Sequence, residues 1–509
     1  MSATAARPVA VRLGVVGVAE ERLYQLEPLD ASGVFLGLGV VQCGLLGGGI
    51  FVAVAAISAG VPVLVAAIPG VGATVLSLAR VGGHPAWEWL PLGSAWVWSG
   101  FTRGRQWSPP LPLWPVDAQR PPPLPPCLAG LEVIEVPWRG GSELAAVHDA
   151  VGHALTAVVP VRGAQFLLEA RGDQERLVAG WGEVLSQFAT EGGTVAHICW
   201  SDLVRPSGLQ RHTDALPERP GGTPHPAAQA SYRALLEEPA PAATSHDVVV
   251  SITVTAERLR RRRGGSREER LGDALGIAVE GLLRALGSAG LEATDPLDAM
   301  GLWRMLRLHV DPTGGGSSRV RRRLGQRLGL VTPASAGPLM METDWRAIRL
   351  DAAWQRIWWV ASWPRLAVPP AWLEPFLSPT GVTRTMTVAM VPVSTYRSRR
   401  RIERDLVKLE SDATVKEEKG RRIDARHQRA TQALLERERE IVAGFAEMGY
   451  VGLVTVSARS EDELEEHAEI VEQRAHEAGM ELRVLDGRQD VAWAGGLPLG
   501  LAPTTVLAT

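Results

Sequence analysis

The chain of 509 residues is short of cysteine, of lysine and, over one long stretch, of charge of either sign. Its three cysteines, Cys43, Cys127 and Cys199, lie far apart and form no C-x-x-C pair. That excludes a disulfide framework and a cysteine-built zinc site. Its three lysines are Lys408, Lys416 and Lys419, so the other 50 of its 53 basic residues are arginine. A Walker A loop requires G-x-x-x-x-G-K-[S/T], with the lysine reaching the phosphates. None of the three lysines has that setting; Lys419 stands before Gly420, the wrong order. A P-loop NTPase is therefore excluded, and no G-x-S-x-G elbow supplies a serine nucleophile. The net charge of −3 and pI near 6.4 leave no global positive field to collect phosphate, so direct nucleic-acid binding is not expected. With 46% hydrophobic and 21% charged residues the chain is not of the disordered class.

No Asp, Glu, Lys or Arg occurs among the 47 residues from Gly33 to Ala79. One membrane span needs about 20 apolar residues, so this stretch is read as two, Val34 to Ile57 and Val61 to Ala79. The break is Ser58-Ala59-Gly60, with Pro62 opening the second span and Pro69-Gly70 as a kink. Glu20, Glu21, Glu27 and Asp30 precede the run and fit a signal peptide poorly. Arg7, Arg12 and Arg22 stand before the hairpin, and Arg80, Arg103 and Arg105 after it. By the positive-inside rule this predicts a multi-pass plasma-membrane protein with both termini cytoplasmic. Trp87, Trp89, Trp96 and Trp98 follow; tryptophan favours membrane interfaces, and these four are the expected lipid-contacting residues. The alternative is a subdomain with core tryptophans.

The remainder divides by composition. Nine prolines in the 18 residues from Pro109 to Pro126 exclude regular helix or central strand and read as a stiff spacer. Residues 1–32 form an N-terminal tail, 33–83 the hairpin and 84–127 the interfacial segment and spacer. Residues 128–255 form a first α/β unit, with strands at Leu131–Val136, His153–Val161, Thr194–Trp200 and His246–Val254, a helix at Gln174–Glu191, and a helical island at Ala227–Glu238. Residues 256–344 form an arginine-rich helical region, with helices at Ser266–Ala289, Asp298–Leu308 and Arg319–Arg327. Residues 345–509 form a second unit. Its strands are Met386–Val391, Tyr450–Ala458 and Leu482–Leu485, its helix is Glu461–Ala478, and a charged helical hairpin spans 397–447. Five tryptophans between Trp354 and Trp372 are read as core. The expected fold is a membrane α-helical hairpin followed by cytoplasmic α+β, ferredoxin-like units with a long helical insert. The strand–helix–strand order around 153–200 is a weaker copy of the second unit, which makes internal duplication one reading.

Chemistry-bearing motifs are sparse. His148 and His153 are five apart, not the i, i+4 spacing of one-face metal ligation, and no metal, cofactor or catalytic residue is assigned. Arg260, Arg261, Arg262 and Arg263, with Arg399, Arg400 and Arg401, are the candidate interaction residues; anionic lipid or a protein partner would meet such runs. A solvated helix face is the competing reading of these arginines.

The matching segments of a known family are the N-terminal hairpin, Val147-His148-Asp149, Val159-Pro160-Val161-Arg162-Gly163, Trp363-Pro-Arg-Leu366 with Pro370 to Leu377, Arg437-Glu-Arg-Glu-Ile441, and Gly487-Arg-Gln-Asp490 with Leu497-Pro-Leu-Gly500. On these the chain resembles a family of actinobacterial two-span membrane proteins of type IV-like secretion or conjugation loci. Its last part resembles the non-catalytic N-terminal region of conjugation ATPases. The resemblance implies a membrane-embedded scaffold that is not an enzyme, docks a separate cytoplasmic secretion or conjugation ATPase, and assembles as a homo- or hetero-oligomer. A type VII secretion core component and a membrane-anchored enzyme are the alternatives.

Overall fold

The computed structural model describes residues 40–81, 84–102, 104–110, 121–163, 166–189, 193–206, 226–237, 244–259, 266–313, 333, 336–364, 368–378, 381–393, 395–418 and 447–501, with helical residues at 431–432, 434–435 and 438–439. They fall into two compact units that divide between Gln106 and Trp107.

The smaller unit holds α1 (Val40–Ser58), α2 (Val63–Leu78) and α3 (Trp89–Phe101). Gly60, at φ +83°, and Pro62 turn the chain between α1 and α2. A Cβ at Gly49 would overlap Ala73, so this glycine permits the close approach of the pair. The expectation of a transmembrane hairpin is corrected here. No helix among the described residues is long and apolar enough to cross a membrane. At 1.5 Å per residue, the 19 residues of α1 and the 16 of α2 reach about 28 Å and about 24 Å, against a hydrocarbon core of about 30 Å. Residues 33–39 of the charge-free run lie outside the described residues, and Ser58 to Pro62 divide the remainder. The multi-pass placement and the orientation drawn from the flanking arginines go with the transmembrane hairpin.

The larger unit is built on an antiparallel sheet of 13 strands. Its first half contains β1 (Leu131–Pro137), β2 (Glu143–Asp149), β3 (Ala154–Arg162), α4 (Arg171–Phe188), β4 (Val195–Pro206), α5 (Pro226–Glu237), β5 (Thr244–Thr255), α6 (Arg267–Ser288) and α7 (Ala299–Val310). Its second half contains β6 (Met341–Thr343), β7 (Ile348–Leu350), β8 (Ala353–Ser362), α8 (Glu374–Leu377), β9 (Thr383–Val393), α9 (Thr395–Glu418), β10 (Glu447–Ala458), α10 (Glu461–Glu477), β11 (Glu481–Val484) and α11 (Gln489–Gly496). The expected separate ferredoxin-like units are instead two halves of this one sheet.

The halves repeat each other. The first runs β4-β5-β3-β2-β1 and the second β9-β10-β8-β7-β6, joined through β4 and β9. Each is completed by a late short strand on its third member: Glu292–Ala293 on β3 and β11 on β8. The seam has the register of a two-fold axis. Ser201 faces Thr387, and Val204 facing Arg384 mirrors Met390 facing Ile198. Both sheet faces are covered, which is why several strands carry apolar side chains at consecutive positions. Helices α4, α6, α8 and α10 pack on one face around Val184, Leu275, Phe376 and Val471. Helices α7 and α11 cover the other through Leu302, Leu306 and Trp493, joined by Leu128 at the end of the proline-rich stretch. Pro122 and Pro125 are buried there, so this end of the expected spacer is packed. Local signals set the helix starts: Ser266 and Glu269 form a reciprocal capping box on α6, and Asp298 caps α7 through the Gly301 N–H at 2.6 Å.

The terminal segments cross the seam reciprocally. Gln355 of β8 donates to the His309 carbonyl, at the end of α7, at 2.9 Å. In return Gly500, beyond α11, lies against Thr156 of β3 and Thr253 of β5, and a Cβ on Gly500 would overlap the Thr156 hydroxyl. The two threonines hydrogen-bond each other at 2.8 Å.

Candidate functional site

Strand pairing alone assembles a charged cluster at one end of the seam. Asp202 of β4 pairs with Val248 and Met386, and Val204 pairs with His246 of β5 and Arg384 of β9. The period of two puts Asp202, His246 and Arg384 on the same face. His246 Nδ1 lies 3.0 Å from Asp202 Oδ2. The Asp202 side chain is 3% exposed and that of His246 41%. The hydrogen bond to Asp202 holds the His246 imidazole above its ordinary pKa, against the opposing effect of partial burial. Arg384 donates to the carbonyls of Leu377, at the end of α8, and Val382. Burial lowers its guanidinium pKa to about 10, and the nearby Asp202 opposes that shift. Asp202 Oδ1 is buried and accepts no hydrogen bond among the described residues. On the opposite face Arg205 and Asp247 form an ion pair at 2.5 Å.

The chemistry open to this cluster follows from the geometry. A protonated His246, held at Nδ1 by a carboxylate, offers one charge-assisted N–H to a ligand. When neutral, it is an oriented base. Among the described residues no hydroxyl or thiol hydrogen-bonds His246 as a nucleophile would. No group of three His, Cys, Asp or Glu among them is arranged to hold a metal ion.

The seam's other end has a different character. By the two-fold register the counterparts of Asp202, His246 and Arg384 are Val388, Tyr450 and Ile198. Tyr450 meets the Trp363 ring edge-on at 5.1 Å, and Trp372 lies 6.2 Å from Trp363.

The residues singled out in the sequence lie elsewhere. Arg260 to Arg263 fall outside the described residues, as do Gly420 and the expected helix Arg319–Arg327. Arg399 and Arg400 are exposed on the first turns of α9, and Arg401 is in the same helix with its side chain outside the description. The Arg400 guanidinium lies 4.8 Å over the Tyr396 ring, while Ser398 and Ile402 turn inward and are buried. Trp87, Trp89 and Trp96 are half-buried, Trp96 lies under the Arg105 guanidinium at 3.8 Å, and Trp98 is 71% exposed. The Gly487-Arg-Gln-Asp490 motif is a clasp on β8. Gln489 accepts from the Ile357 N–H at 2.8 Å and donates to the Ile357 and Leu485 carbonyls. In Val147-His148-Asp149, the aspartate closes a turn by accepting from the Val151 and Gly152 N–H groups at 2.9 Å.

No family model matches the chain, and no curated protein matches it. Neither comparison supports the placement in secretion or conjugation loci.

Proposed function

We propose that the chain is a binding scaffold that docks a separate ATPase, without a catalytic role of its own. The ATPase is the partner implied by the family resemblance. The membrane-embedded part of that expectation is not retained. The observation that carries the reading is the position and surface of α9. It leaves β9 in the interval where the first half carries α5 after β4. It spans 24 residues and presents Tyr396, Arg399, Arg400 and Val407 outward. Exposed aromatic and arginine side chains are the groups most enriched in protein contact hot spots.

The test is capture of interacting proteins on the full chain, compared with a variant in which residues 397–446 are replaced by a short Gly/Ser linker. Recovery of an ATPase on the full chain and its loss on the variant supports docking through this arm. Equal recovery moves the contact elsewhere, and absence of any ATPase from both overturns the reading. The His246–Asp202 dyad favours a second reading, an enzyme that uses His246 as base. Turnover of a substrate that His246→Ala abolishes would establish it.

A further inference from the structure

Within the smaller unit, helix α2 carries two stripes on opposite sides. Ala66, Gly70, Ala73 and Ser77 form the first, at spacings of four, three and four. This stripe of small residues is the side turned to α1. A Cβ on Gly70 would touch Ala53, and Ala73 lies close over Gly49. Ala66 and Ser77 are buried with it. Leu64, Ile68, Val71, Val75 and Leu78 form the second stripe, at spacings of four, three, four and three. All five are more than half exposed, Leu64 the most at 88%. Pro69, inside the helix, stands on neither stripe.

Alternating spacings of four and three make a heptad pattern, the one by which a helix packs along its length against another helix. Ile68 and Val75 take the a positions, and Leu64, Val71 and Leu78 the d positions. β-branched residues at a with leucine at d favour two parallel helices. A strict a/d stripe is also narrower than the face a helix turns to a globular core. Seen whole, α1 and α2 have ten large apolar side chains that are more than half exposed. At about 100 Å² for a whole side chain they leave roughly 600 Å² bare, the top of the range for the largest apolar patch on a monomer. No Asp, Glu, Lys or Arg occurs between Val40 and Ala79. A partner that brought charges to this stripe would bury them without counter-charges; a second copy of α2 brings none.

We infer that the chain pairs with a second copy of itself through α2, the two helices lying parallel with each stripe residue opposite its own equivalent. Two-fold symmetry makes such a contact self-complementary and closes it at two copies. The pairing is independent of the ATPase contact proposed for α9.

Sedimentation of the full chain without detergent tests this. The expected mass is that of two copies, falling twofold in a variant that carries Ile68→Glu and Val75→Glu. Val63→Glu, at another exposed position of α2 off the stripe, should keep two copies. Any mass other than two copies for the parent protein overturns the inference. So does a double variant that keeps two copies, which moves the contact elsewhere, and so does a Val63→Glu variant that separates as completely, which makes the contact unspecific. Flotation of single copies with phosphatidylcholine vesicles gives the stripe to lipid and also overturns it. Where the double variant loses helix by circular dichroism, the result is read from Leu64→Cys in a Cys43→Ser background, oxidised with copper–phenanthroline. Parallel pairing brings the two Leu64 positions together, so a disulfide should link the copies, whereas antiparallel pairing sets Leu64 opposite Leu78. Oxidation that links no more copies than in Cys43→Ser alone overturns the inference.

Discussion

The first and second halves of the sheet share strand order, register and reciprocal terminal segments, yet they close the two ends of their common seam with opposite chemistry. Trp363, Trp372 and Tyr450 seal the second half's end with edge-on rings. The first half places His246 where the second has Tyr450 and Asp202 where it has Val388, and leaves the imidazole 41% exposed. A duplicated backbone path therefore does not carry duplicated chemistry. The apolar end is closed by packed rings, and the polar end keeps one exposed imidazole.

Four measurements break or sharpen that contrast, from the largest expected effect to the smallest. Trp363→Ala removes a side chain that is 7% exposed and should cost about 4 kcal/mol in urea unfolding. A cost under about 1 kcal/mol would remove the sealing role assigned to the aromatic end.

His197, the first-half counterpart of Thr383, comes next. Burial, aided by the nearby Arg258, pushes its pKa from 6.5 down to about 4. Between those values the unfolded chain binds a proton that the folded chain refuses. Stability should therefore fall by about 3 kcal/mol as pH drops from 6.5 to 4. His197→Asn should flatten that slope, and an unchanged slope would place the acid sensitivity elsewhere.

Gln489→Leu removes the second half's clasp and should cost about 2 kcal/mol by leaving the Ile357 N–H without its acceptor. Both halves make a backbone bond at this position, the Leu297 N–H to the Val158 carbonyl at 2.8 Å and the Leu485 N–H to the Ile357 carbonyl at 3.2 Å, and Gln489 is added to the second. The loss should appear as faster amide exchange in β8 and not in β3; equal loosening of both strands would show that the halves do not respond separately.

The smallest effect belongs to His246. Its raised pKa means that the stabilisation by Asp202 is complete below the unfolded value of about 6.5 and is lost as pH rises through the folded value. The imidazole is 41% exposed, so solvent screening holds the contribution to under about 1 kcal/mol. An NMR titration should show the His246 pKa falling in Asp202→Asn. An unmoved pKa would mean that the carboxylate does not hold the imidazole charged.

Much of the larger unit was legible in the sequence. The strands around Leu131, Val158, Val250 and Val454 stand out by β-branched content, and helices α6 and α10 by their one-sided apolar spacing and serine caps. Strands β6 and β7, of three residues each, are too short to show a period. The run Trp354 to Trp363 reads as core while containing most of β8, because Gln355 and Arg356 interrupt its apolar pattern from within the sheet. Both polar side chains are buried, Gln355 on the end of α7 and Arg356 on Glu465 of α10. The charge-free run was read as two spans from composition, which counts residues; among the described residues no helix is long and apolar enough to cross a membrane. Asp202, His246 and Arg384 could not have been grouped, since only strand pairing brings together residues so far apart in sequence. The available signal was weaker: charged residues at interior positions of β-rich segments.

The reciprocal crossing of the seam also sets an order of events during synthesis. The hydroxyl row of Thr156 and Thr253 is made early, but the segment that lies on it arrives only with Gly500. At about 5–20 residues per second, the ribosome needs tens of seconds to travel from the end of α7 to that glycine. Over this interval the first half has its strands and helices but lacks the segment that lies on its hydroxyl row. The nascent chain is then open to chaperones and to its own later strands, and its final closure coincides with that of the second half.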